Sequence, residues 1–251
     1  MNRRTVAVLV LVAGAAALAG VTLAHATCSN ASIKGTYGIV STGLNGSLQP
    51  ASSVDQISVD GLGHVSGTST KSNDGTIVTD TITGSYNIAA NCNGTATFNN
   101  QSGQTEHDNI YLNNADAGAF LIQTDKSHVQ SSIAVAQGAA TCTNLGVKNP
   151  YSFEATGTVI GTGQVAAAGR LTMNGTGSIS GTLTLSLDGT IHSSVSVTGS
   201  YKINANCTGT ASITPAGLST MKFNLVVVNA GKQIMAIETD NNTIVTGTFQ
   251  E

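Results

Sequence analysis

Short runs in which apolar and polar residues alternate, punctuated by Gly, Asn and Asp, make up nearly all of the chain. Tyr86, Ile88, Ala90 and Cys92 fall on one side of such a run, and Tyr201, Ile203, Ala205 and Cys207 repeat the arrangement. Period-two alternation marks a half-buried strand, because successive side chains of an extended chain point to opposite faces. Outside the first 26 residues, no window long enough for a helix places apolar residues at helical spacing. The pattern predicts strands over 33–43, 53–59, 64–70, 76–89, 92–98, 107–113, 118–125 and 129–137, and as many again in the second half, ending with 242–250. Asp60-Gly61 and Asn174-Gly175 read as two-residue type I′ hairpin turns, whose central positions both need positive φ. Asp74-Gly75 and Asp188-Gly189 turn the chain again.

The two halves are copies. GSYNIAANCNGTATF at 84–98 returns as GSYKINANCTGTASI at 199–213, with ten of fifteen positions identical. VDGLGHVSGT at 59–68 matches MNGTGSISGT at 173–182, and LIQTD at 121–125 matches AIETD at 236–240. The offset is 114 before about residue 80 and 115 after it, so one residue was gained or lost between Asp74-Gly75 and Gly84, a change a β-bulge absorbs. A period this long is a whole domain. Eight short antiparallel strands joined by hairpins leave two open edges unless the sheet closes. The expected fold is therefore all-β, two tandem eight-stranded antiparallel up-and-down β-barrels, with two β-sandwiches as the alternative. The expected divisions are 1–26, 27–137 and 138–251, with a short linker opening the last.

Residues 1–26 carry Arg3-Arg4, an apolar run and Ala24-His25-Ala26, a small-x-small cleavage site. This predicts a signal-peptide helix that is removed, leaving no membrane insertion and a secreted, periplasmic or cell-surface protein. Removing Arg3 and Arg4 from the 10 basic residues leaves 8 against 13 acidic, a balance of −5. That sparse, net-acidic surface excludes a nucleic-acid footprint. The four cysteines fall at matching places in the repeats, and a domain that once folded alone had to close its own bond. The predicted disulfides are Cys28–Cys92 and Cys142–Cys207. If the first strand runs upward, Cys28 and the turn holding Cys92 both lie at the bottom of the barrel, and the N-terminal segment crosses its floor.

The turn glycines, Gly35-Thr36-Tyr37 and the Cys-Asn-Gly-Thr and Cys-Thr-Gly-Thr segments resemble those of tandem β-barrel proteins exported by soil and environmental bacteria. More distantly the chain is similar to calycin-type barrels, which include lipocalins and allene oxide cyclases. Lipocalins carry Gly-x-Trp where Gly35-Thr36-Tyr37 and Asn149-Pro150-Tyr151 stand here. The resemblance implies closed barrels, and it carries no catalytic residue over.

Catalytic chemistry is thin in the sequence. His64, His107, His128 and His192 do not recur at repeat-equivalent positions, no metal-ligand spacing appears, and no cofactor motif is present. Glu106, His107 and Asp108 are consecutive on a strand and alternate faces. Asp125 and Asp240 recur at strand ends and read as caps of their own turns. The sequence points to a non-enzymatic exported module, either a structural surface protein or a binder of a small apolar ligand or a glycan, of undetermined oligomeric state. A barrel-enclosed isomerase or cyclase and an adhesin or matrix protein are the alternatives. Tyr86, Tyr201 and Glu238 are the candidate ligand-binding side chains. A binder requires a cavity of ~300–1,000 Å³ inside a barrel.

Overall fold

The computed structural model describes residues 27–113, 118–138 and 141–251. The expected leader, 1–26, lies outside them. Barrel one comprises β1 (Gly35–Leu44), β2 (Pro50–Val59), β3 (His64–Asn73), β4 (Thr76–Ile88), β5 (Asn93–Asn100), β6 (Thr105–Leu112), β7 (Gly118–Gln123) and β8 (Val129–Ala136). Barrel two comprises β9 (Pro150–Val159), β10 (Gly163–Met173), β11 (Ser178–Leu187), β12 (Thr190–Ile203), β13 (Thr208–Pro215), β14 (Met221–Val228), β15 (Gln233–Glu238) and β16 (Thr243–Gln250). Each strand pairs antiparallel with the next, and the last of each set closes on the first. Closure excludes the sandwich and leaves neither sheet with a free edge. No helix among the described residues is long and apolar enough to cross a membrane.

Both disulfides form as the duplication predicts, Cys28–Cys92 and Cys142–Cys207. Each ties an N-terminal segment to the β4–β5 or β12–β13 turn and so marks the floor of its barrel. The first strand begins at Gly35, two residues later than expected, because Asn30–Ile33 form a 3₁₀ turn ahead of it. Asn30 Oδ1 accepts from the Ile88 N–H at 2.7 Å, and Asn144 does the same for Ile203 at 2.7 Å. Ile33 packs on the apolar cluster of barrel one, so the segment closes the floor as well as tethering it.

Two turn expectations need correction. Asp60-Gly61 and Asn174-Gly175 do not form two-residue hairpins. The loops span 60–63 and 174–177, and the Asp60 carboxylate folds the first by accepting from the N–H groups of Leu62, Gly63 and His64. Asp74-Gly75 is the two-residue turn, with φ of 50° and 77°. The extra residue of the second repeat is a bulge in β12: Leu183 pairs with Val195 but Leu185 with His192, and Ser194 within it has φ 55°.

The barrels lie side by side with their mouths on the same side. Near the mouths the Asn242 N–H donates to Gly75 O at 2.8 Å, and near the floors the Ala230 N–H donates to Gln137 O at 2.8 Å. Between these ends, Val54 packs with Val226, Val228, Met235 and Ile237, flanked by Val40 and Val135. Asn224 Nδ2 reaches Thr70 Oγ1 at 2.9 Å, and Ser72 Oγ bonds Thr243 O. Gly38 is required here, because a Cβ at that position would stand 2.5 Å from Val228 Cγ1 and 2.9 Å from Val226 Cγ1.

Candidate functional site: a polar chamber in barrel one

Strand alternation puts charged groups inside barrel one. On β2, Ser53 and Asp55 share the inward face with the buried Ile57 and Val59. Ser69 and Lys71 follow Val65 in the same way on β3, and Glu106 and Asp108 precede Ile110 on β6. Gln123 of β7 pairs with Asp108 across the ladder, and Ser41 and Ser132 meet between β1 and β8 with their hydroxyls 2.8 Å apart. Below this belt the interior is apolar, walled by Tyr37, Ile57, Val65, Tyr86, Ile110 and Leu121.

The polar belt lines an inner chamber of about 40 Å³, and above it a cavity of about 370 Å³ lies at the mouth among Asn45, Asn73, Asn100, Gln104 and His128. Lys71, Ile82, Phe98, Glu106 and Gln130 wall both spaces. Lys71 Nζ stands 3.5 Å from Glu106 Oε2, which puts an ion pair at the junction.

The inner carboxylates are strongly perturbed. Burial pushes the Asp108 carboxyl up to about 7, with repulsion from Glu106, Asp125 and Asp55 adding to it and Lys71 opposing. Burial likewise raises Asp55 to about 6, although Ser69, opposite it on β3, and the Lys71 ammonium pull it part way back. Ser53 Oγ donates to Asp55 Oδ2 at 3.1 Å, while Oδ1 and the hydroxyl of Ser69, its cross-strand neighbour, are both shut from solvent and not within a well-formed hydrogen bond. Gln123 Nε2 donates to Asp125 Oδ2 at 3.2 Å, and its Oε1 is likewise unpartnered. Buried acceptors in native interiors are rarely left in this condition.

Asp125 serves the barrel rim. Its carboxylate accepts from the His107 N–H at 2.9 Å and lies 2.8 Å from His107 Nδ1. Partial burial opposes ionisation of Asp125, yet these bonds hold its carboxyl below the usual carboxylate range. Asp240 receives the Lys222 N–H at 2.8 Å in the same role. Both residues therefore clamp the preceding strand, rather than capping their own turn as expected.

Barrel two keeps the scaffold and loses the chamber. At the matching offsets, Gly169 stands for Asp55, Leu183 for Ser69, Leu185 for Lys71, Met221 for Glu106, Phe223 for Asp108 and Glu238 for Gln123. Phe153 and Phe249 stack at 5.3 Å between ring centroids, and the largest void described among these side chains is about 60 Å³.

The three residues singled out from the sequence do not converge. Tyr86 is buried in the floor of barrel one, its hydroxyl donating to Asn30 O at 3.2 Å. Tyr201 makes the equivalent bond to Asn144 O at 3.1 Å and accepts the Gly175 N–H at 2.9 Å. Glu238 sits in the apolar interior of barrel two, where burial first and repulsion from Asp240 second push its carboxyl up to about 7. Tyr201 and Glu238 are three strands apart along the ladder, about 14 Å at the usual strand spacing. Asp55, Lys71 and Asp108 were missed because a charged residue in an alternating run reads as outward. The signal was present in the repeat: each stands where the second copy has glycine or an apolar side chain.

No protein-family model matches the chain, and no curated protein does. Among solved structures, the chain is similar to transferrin-binding protein B from serogroup B Neisseria meningitidis. The identity is 8%, the alignment covers 85% of this chain and 75% of that one, and the TM-score is 0.28. A likeness of that size leaves the chamber itself as the basis for function.

Proposed function

We propose that the protein is an exported, non-enzymatic binding protein in which barrel one takes up a small hydrogen-bonding ligand through its mouth. The observation that carries this is the mouth: a cavity of about 370 Å³ leads to buried acceptors on Asp55 and Gln123, while the largest void described in the duplicate barrel is about 60 Å³ and apart from Glu238 is walled by apolar side chains. Carboxylates held in this way weaken the fold at neutral pH, and a bound partner accounts for their presence. Barrel two serves as a packed buttress along β1, β2 and β3. The division into 27–137 and 138–251, the distant calycin-type likeness and Tyr86 and Tyr201 as floor straps rather than ligand contacts belong to the same proposal. So does secretion to the periplasm, cell surface or medium, supported by two disulfides that need an oxidising compartment. Of the apolar ligand or glycan expected from the sequence, the polar belt favours the hydrogen-bonding kind, while an apolar void of about 40 Å³ lies below it among Tyr37, Val65, Tyr86 and Leu121.

Native mass spectrometry of the protein purified from its exporting host tests the proposal. A Ser132→Trp variant, which fills the chamber from β8, is the control. A small molecule that co-purifies with the wild type and is lost from the variant supports it. A bare mass in both sinks it in favour of a structural surface protein.

A further inference from the structure

Resting on that binding function, we propose that the ligand of barrel one is a small organic cation whose ammonium or guanidinium group enters the inner chamber against Asp55 and Asp108. Three carboxylates, those of Asp55, Glu106 and Asp108, share the interior with one cation, Lys71, which is paired to Glu106. The chamber is therefore short of positive charge and rich in acceptors. Gln123, nine-tenths buried in the wall of the mouth cavity, has an unpartnered carbonyl oxygen, and Asp55 in the chamber below has a carboxylate oxygen outside any well-formed hydrogen bond. N–H donors satisfy both. Among the described residues no three His, Cys, Asp or Glu side chains are placed to hold a metal ion. The inner chamber has room for such a headgroup, since a single water needs only ~10–15 Å³ by the same measure. The 370 Å³ mouth holds the remainder of the molecule.

The charged groups around the site are Lys71 from β3, Glu106 from β6 and Asp125 after β7. His107 holds Asp125 from outside the wall, His128 stands at the mouth, and Asp80 is tied to Gln101 and Ser102 at the rim. Entry of a cation completes ionisation of Asp55 and Asp108, so binding releases protons and strengthens as pH rises. The test is an NMR titration with n-butylammonium and n-butylguanidinium at pH 5.5 and 8, with glucose as the neutral probe and calcium ion as the metal probe. The expected result is shifts at Lys71, Asp108 and Gln123 with either organic cation, and affinity about tenfold or more higher at the upper pH. Asp108→Asn, which removes a buried charge and keeps the shape, is expected to fold and to lose most of the cation affinity at pH 8. Glucose or calcium binding where the organic cations fail overturns the cation and leaves the chamber as a binding site. Cation affinity that is flat with pH overturns it too, and no shift with any probe overturns both readings.

A second inference comes from the outer wall. One row of ladder partners runs round barrel one through Tyr111, Phe120, Ile133, Val40, Val54 and Thr70. Val40, Val54 and Thr70 lie under barrel two. Tyr111, Phe120 and Ile133 continue the same row uncharged and in the open, with 45%, 56% and 47% of their surface exposed. The repeat-equivalents of Tyr111 and Phe120 are Val226 and Met235, which are the residues barrel two presses onto barrel one. We infer that the β6–β8 face of barrel one is an interface with a second copy of this chain. A head-to-tail chain of barrels would bury Glu154 and Arg170, which in barrel two replace Val40 and Gln56. The pairing is therefore face to face about a two-fold axis. Sedimentation equilibrium over about a hundredfold range of concentration tests this. A concentration-dependent dimer that Phe120→Lys dissociates without changing the circular dichroism spectrum is the expected result. A monomer throughout, or a dimer indifferent to Phe120→Lys and Ile133→Lys, overturns it.

Discussion

Asp108 shows most clearly what the chamber costs. Its carboxyl stands at about 7 in the fold against 3.8 for the free side chain. A folded value above the unfolded one means that its contribution to stability is fullest below about 3.8 and is lost as pH climbs to about 7. Asp55 and Glu238, raised to about 6 and about 7, carry the same sign. Asp108→Asn should therefore raise the melting temperature at pH 8, by an amount on the order of 2–4 kcal/mol in stability, with a smaller gain at pH 5. Thermal melts of both proteins at the two pH values check this, and a gain independent of pH would refute the assignment. Glu238→Gln should behave likewise while leaving cation binding by barrel one untouched. What hid these residues in the sequence is physical: alternation fixes which residues share a face, but not which face is inside. Asp55 followed by Ile57, and Asp108 by Ile110, settle that question only once the apolar partner is known to be buried. Glu238 ends the apolar run Ile234–Ile237, the condition under which an inward charge stands out in a sequence.

At the level of elements, hairpin order, strand count and both disulfides were legible, since alternation and the duplicated cysteines constrain them directly. The turn at 60–63 was not, because a carboxylate that gathers three N–H groups makes a four-residue loop from a dipeptide that elsewhere makes two. The Cys28–Cys92 bond has a local effect that can be separated from its general one. The double Cys28→Ser, Cys92→Ser variant should lose about 4 kcal/mol, as expected for a loop of this length. Hydrogen exchange should then quicken first at Ile88, whose N–H is capped by Asn30 on the tethered segment. Equal quickening throughout barrel one would show that the segment is not an independent strap. In the floor itself, Ile88→Ala or Ile203→Ala should cost about 2–5 kcal/mol by chemical denaturation, the range for a buried Ile truncation.

Across the whole molecule the duplication has produced a division of labour. One copy keeps a mouth, an ion pair at its neck and acceptors below. The other is packed with Phe153, Phe223, Phe249, Leu183 and Leu185, and holds the first by a valine-rich contact. Nothing in the sequence announced that contact, because outward apolar residues such as Val226 and Met235 read simply as core positions of a strand buried on both faces. Gly38→Leu should break it: the new side chain meets Val226 and Val228 at the closest approach of the barrels. Calorimetry is expected to show one transition for the wild type and two for the variant, with both disulfides intact. The central claim concerns the first barrel, and a crystal structure at pH 8 of protein taken directly from its exporting host tests it most directly. The account predicts density for a small organic molecule in barrel one, with a nitrogen within hydrogen-bonding reach of Asp55, Asp108 or Gln123, and a filled barrel two. A chamber collapsed so that Lys71 pairs with Asp55 or Asp108 and no acceptor remains open would contradict it.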